Sequence, residues 1–131
     1  MQVARNKPET VTGPSESFTG AVFMDAVATP SGTSRLNATS VHFTPGARTA
    51  WHTHPNGQTL YVTEGVGLAQ GRGGRIEVIR PGDRVFIEPG EEHWHGATPE
   101  RFMAHVAMQE ADADGQVVTW LDHVTDEEYG A

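Results

Sequence analysis

From residue 17 onward the chain is cut into short β-prone runs by glycine, proline and asparagine at nearly regular intervals. That punctuation limits the fold more than any other feature. The runs cover residues 18–24, 35–43, 49–54, 58–64, 67–70, 74–79, 84–88, 93–97, 101–109 and 116–120. Between them fall Pro45-Gly46, Pro55-Asn56-Gly57, the glycines at 71, 73 and 74, Pro81-Gly82 and Pro89-Gly90. Many short strands with regular turn signals predict an all-β sandwich or barrel. Residues 112–115 read as a hairpin turn. Thr125 with Glu128 fits a capping box, which predicts a short C-terminal helix reaching Tyr129. Residues 1–16 lack any period and read as an N-terminal arm, ordered only where it docks. Residues 17–131 read as one domain; 131 residues suffice for a single core.

Composition narrows the function. Nine basic against 17 acidic residues leave a formal charge of −8, a field that repels phosphate backbones and argues against nucleic acid as a partner. No apolar run is long enough to span a membrane. No basic start leads into an apolar stretch, so the sequence carries the expectation of a cytoplasmic protein. With no cysteine, thiol nucleophiles, disulfides and Cys-bound metals are excluded. Seven histidines are an excess, and five lie between positions 52 and 105. Histidine is the commonest metal ligand and the usual acid–base group near neutral pH.

The spacing of these histidines carries the chemistry. His52 and His54 stand two apart in a β-prone run, so both imidazoles point to one side of a strand. Gln58 follows a Pro-Asn-Gly turn and returns beside them, offering an amide oxygen. His93 supplies a third nitrogen, and His95 repeats the same period on its own run. Histidines in a small barrel can also simply satisfy one another's hydrogen bonds. Two separate pairs, each following a Gly/Pro turn, favour a metal.

The text from Gly46 through His52, His54 and Gln58 to Gly65 resembles the first cupin motif, G-x5-H-x-H-x3-4-E-x6-G, with Gln58 in place of the family's Glu. Gly82, Gly90 and His93 resemble the second motif, G-x5-P-x-G-x2-H-x3-N, with Glu88 in the Pro position and Ala97 in the Asn position. Sixteen residues separate the two, and together they cover just over a quarter of the chain. The resemblance implies a double-stranded β-helix (jelly-roll) barrel. It narrows further to small bacterial cupins that act as manganese-dependent hydroxynitrile lyases. The similar stretches begin at Phe43, Pro89 and His123. Carried over by position, His52, His54, Gln58 and His93 would be metal ligands and His105 an acid–base residue. His95 would either assist or hold a water. The metal implied is Mn2+, while Fe, Co, Ni or Zn suit the same His and oxygen donors.

Four neutral ligands leave a divalent metal its full charge, which favours Lewis-acid chemistry on a small-molecule substrate. Strand alternation nominates Thr39, Val41, Phe43, Leu60, Met103 and Gln109 for the pocket wall. Trp51 and Trp94, each beside a ligand histidine, face the other way and read as packing. His42 and His123 read as surface or interface residues. The expected assembly is a homodimer or homotetramer, since open sheet edges need cover. A cupin dioxygenase, and a binding protein or isomerase, are the competing readings.

Overall fold

The computed structural model describes residues 1–130. Its strands are β1 (Val11–Thr12), β2 (Phe18–Thr19), β3 (Val22–Ala28), β4 (Leu36–Phe43), β5 (Arg48–Thr49), β6 (His52–Thr53) and β7 (Gln58–Gly65). They continue with β8 (Gly67–Gly71), β9 (Glu77–Ile79), β10 (Arg84–Ile87), β11 (His93–Ala97), β12 (Met103–Glu110) and β13 (Thr119–Trp120). A single helical turn, α1 (Asp126–Tyr129), follows. One sheet runs β1-β3-β4-β12-β7-β10; the other is built on β13-β6-β11-β5-β2, with β8 on the far side of β11 and β9 beyond it. Every ladder among the described residues is antiparallel.

Two expected strands are split, because their halves serve different neighbours. The run 18–24 breaks at Gly20, where φ is 81°. Phe18 and Thr19 pair with β5 in one sheet, while Val22 onward pairs with β4 in the other. A Cβ at Gly20 would sit 2.9 Å from the Ala47 Cβ, so both conformation and space require glycine there. The run 49–54 breaks at Ala50 and Trp51, whose amides donate to Ser17 and Asp122 carbonyls instead. β11 therefore pairs with β6 through His93↔His52 and with β5 through Gly96↔Arg48. Two more runs are shortened. Only Glu77–Ile79 of 74–79 and only Thr119–Trp120 of 116–120 join ladders. The N-terminal arm docks through Val11↔Met24 and Thr12↔Phe23.

The largest apolar cluster lies between the sheets and includes Val22, Phe43, Val62 and Met103, all fully buried. Burying each such side chain stabilises the fold by roughly 1.5–3 kcal/mol. A second cluster sits outside the β11 sheet, where Trp51 and Trp94 pack with Val124 and Tyr129. The helix is fixed by the expected capping box, Thr125 with Glu128, and ends at Gly130 in the left-handed region. Tyr129 Oη donates to the Ala97 carbonyl at 2.5 Å. Buried Arg48 donates to the Val124 carbonyl and to Asp126, and lies over the Tyr129 ring. The C-terminus thus clamps the outer face of the strands that carry the histidines. His42 is exposed and stacks on Phe102, and His123 is also exposed.

Candidate metal centre

β6 with His54 just beyond it, β7 and β11 bring four side chains to one place inside the barrel. The ring centroids of His52 and His93 are 4.1 Å apart, those of His52 and His54 5.0 Å, and those of His54 and His93 5.4 Å. The Gln58 Oε1 stands 3.0 Å from the His93 Nε2. Each of these imidazoles is oriented from behind by a backbone carbonyl. His52 Nδ1 donates to Ala50 O at 2.9 Å, His54 Nδ1 to Val117 O at 2.6 Å, and His93 Nδ1 to Glu91 O at 2.9 Å. A carbonyl only accepts, so each Nδ1 carries the proton and each Nε2 presents a lone pair. That arrangement is typical of histidines that hold a metal.

The donor set tests whether a cation fits. Burial is the main force holding the histidines below their ordinary range. His93 is lowered to about 4, and His52 and His54 are lowered as well. All are therefore neutral at pH 7. With its one proton given to Glu91, His93 faces Gln58 Oε1 lone pair to lone pair. Gln58 cannot relieve this by turning its amide without cost, because its Nε2 donates to Gln109 Oε1 at 2.9 Å. Gln109 in turn donates to Asn37. The buried His54 Nε2 has no partner. Convergent acceptors, one of them orphaned, fit a divalent cation.

His95 also belongs to the cluster. Ligand atoms of His52, His93 and His95 all lie within 4.8 Å of one another. What separates His95 from the other three is its second nitrogen. Its Nδ1 is bonded not to a carbonyl but to His105 Nε2, at 2.9 Å across the space between the sheets. Burial pushes His105 down to about 4; His95 is held well below the usual range, first by burial and then by His105. The outer nitrogens of the pair, His95 Nε2 and His105 Nδ1, are buried without partners. Phe43 packs edge-on to both rings. A neutral pair of this kind offers one lone pair and one N–H at its two ends, and a proton moved through the central bond exchanges them.

A cavity of about 140 Å3 opens beside these residues. Thr39, Val41, Phe43 and Gln109 line it, as strand alternation predicts. Leu60 and Met103 do not. Both point inward, but at other levels of the barrel. Met103 pairs with Phe43 and Gly65 beyond a register shift in the β7–β12 ladder and fills the core over Gly67. Leu60 packs with Ile87 and Ala107. Alternation gives the face of a sheet and not the depth along it. The sequence reading missed Phe18, Val117, Val118 and Trp120, which also line the cavity. Trp120 lies 4.7 Å from the His52 ring and 5.6 Å from Phe18. These residues come from both ends of the chain, and no local pattern marks them. Asn37, on the same strand face as Thr39, lines the cavity too.

A jelly-roll barrel with a histidine-rich interior of this kind defines the cupins. The Cupin domain family matches residues 39–107, and the chain belongs to it. The chain is 54% identical over 117 residues to the (R)-mandelonitrile lyase of Granulicella tundricola, across 89% of this chain and 88% of that protein. A cupin-like protein of Thermotoga maritima superposes with a TM-score of 0.85 at 40% identity, covering 90% and 89% of the two chains. A cupin-2 domain from Rhodospirillum rubrum, 17% identical, shares the fold with a TM-score of 0.73 over 98% of this chain and 84% of that one.

Proposed function

We propose that this chain is a metal-dependent lyase that cleaves and forms small cyanohydrins. One observation carries the reading: four oriented neutral donors stand next to a two-histidine proton relay, at the wall of a mostly apolar cavity. In this reading His52, His54, Gln58 and His93 hold a divalent metal, with Mn2+ first choice. His95 is left to its partnership with His105. When bound, the metal supplies Lewis acidity that makes a hydroxyl easier to deprotonate.

The protein's own groups do the rest. The wall formed by Phe18, Val41, Phe43 and Trp120 receives the organic part of the substrate and excludes water. The unprotonated end of the His95–His105 pair takes the hydroxyl proton. The C–CN bond breaks, its electron pair leaves with cyanide, and the oxygen's electrons form the carbonyl. The protonated end of the pair delivers a proton to cyanide. The sum is one cyanohydrin giving one aldehyde and one hydrogen cyanide; the pair stays neutral, with its lone-pair and N–H ends exchanged. The similarity to a mandelonitrile lyase over most of both chains supports this chemistry.

The test is benzaldehyde release from mandelonitrile by Mn(II)-loaded protein against an EDTA-treated control, in air and without oxygen. The reading expects cleavage that needs metal and not oxygen. Cleavage that consumes oxygen would overturn it in favour of the dioxygenase. We further infer a cytoplasmic homodimer or homotetramer. No helix among the described residues is long and apolar enough to cross a membrane. Phe23, Val27, Tyr61 and Phe86 are exposed large apolar residues on strands of one sheet, which supports self-association. Light scattering after size exclusion reads that state directly.

A further inference from the structure

A second and larger cavity also reaches the histidines. β9 and β10 are joined by one short turn yet lie in different sheets. Among the described residues β9 pairs with β8, β10 pairs with β7, and no ladder joins the two. The barrel wall has a seam there, and behind it lie about 530 Å3. Its buried floor is Leu60, Ala69, Ile79 and Ile87 with His93 and His95, while the exposed Arg75, Glu77, Asp83, Arg84 and Glu91 line its outer part. His95 lines this cavity and the site cavity alike; β7 also serves both, through Leu60 here and Gln58 there, and the other strands differ.

We propose that the seam cavity is a separate passage to the metal centre for neutral ligands of two heavy atoms, hydrogen cyanide among them. The choice of hydrogen cyanide rests on the lyase reading; the passage itself does not. Cleavage makes two products in one place. An aldehyde held against Phe43 and Trp120 would fill much of a cavity of about 140 Å3, so cyanide released beside the histidines would need another way out. Hydrogen cyanide is uncharged at pH 7 and crosses an apolar floor without the penalty a charge would meet. Ala69 stands across from His95 in the β8–β11 register. Its single methyl group leaves the cavity open next to that histidine.

The register also supplies the plug. Ala69→Leu grows into the seam cavity, and Ala107→Leu grows into the site cavity that Ala107 lines. The first readout is nitric oxide binding to the Fe(II)-loaded protein without oxygen, followed by stopped-flow absorbance. Ala69→Leu is expected to slow association by about tenfold, and Ala107→Leu to leave it unchanged. In cyanohydrin synthesis Ala69→Leu should raise KM for cyanide alone, and Ala107→Leu should raise KM for benzaldehyde alone. Val85→Phe, on the opposite wall of the seam cavity, serves if Ala69→Leu fails to fold. Unchanged nitric oxide rates in a folded, metal-loaded plug variant would overturn the passage. So would equal slowing by Ala107→Leu. Nitric oxide rates that split as expected, with no cyanohydrin turnover in the parent, would overturn the lyase reading and keep the passage.

Discussion

At the scale of single residues, the site is decided by which nitrogen each histidine commits to its surroundings. His52, His54 and His93 commit Nδ1 to a carbonyl and keep Nε2. His95 and His105 commit a nitrogen to each other. Two substitutions separate these roles. His52→Ala removes one donor and should abolish stoichiometric metal binding, read by elemental analysis of the loaded protein. His105→Gln keeps an amide nitrogen to face His95 Nδ1 but lacks a base. It should retain metal and lose at least about 100-fold in kcat, the usual contribution of general acid–base catalysis. Full turnover in that variant would remove His105 from the proton path.

At the scale of elements, the outer clamp holds the inner site. Trp94 alternates with His93 and His95 on β11, so its packing against Tyr129 fixes the strand whose other face carries the ligand. Gly96 lets β5 lie close against β11, because a Cβ there would collide with the Ala47 carbonyl oxygen. Tyr129→Ala removes the ring under Arg48 and the bond to Ala97. It should cost about 3–5 kcal/mol in stability, the range for emptying a buried aromatic site, and weaken metal affinity as β11 loosens. Thr125→Ala removes only the cap and should cost about 1 kcal/mol. Thermal unfolding and a metal titration, run on both variants, distinguish loss of the clamp from loss of the cap.

At the scale of the whole molecule, a cluster of neutral buried histidines makes the metal-free protein sensitive to acid. The folded state holds these groups below their unfolded value near 6.5. Above that pH both states are neutral, and the histidines add no pH dependence. Below it the unfolded chain binds protons that the folded chain refuses. Stability then falls by roughly 1.4 kcal/mol per pH unit for each histidine that stays neutral. For His93 and His105 the fall continues until about pH 4. The melting temperature of EDTA-treated protein should therefore drop steeply between pH 6.5 and 4. At neutral pH, saturating metal should raise it, because a ligand of the folded state alone stabilises that state. A flat profile in the metal-free protein would mean that the cluster is open to water.

Local patterns carried much of this. Turn residues at regular spacing predicted the barrel, because a strand ends wherever glycine or proline interrupts its ladder. The period of two placed His52 with His54 and His93 with His95, because successive side chains on a strand alternate faces. The capping box predicted the last helical turn for an equally local reason. Tertiary structure decided what depends on depth and on distant neighbours. It set Leu60 and Met103 at other levels of the barrel, split the runs at Gly20 and Ala50, and brought Phe18 and Trp120 together over His52. It also joined His95 to His105 across the two sheets and gave His54 the carbonyl of Val117. A periodicity specifies direction from one strand; which side chains meet is settled only when the sheets close on each other.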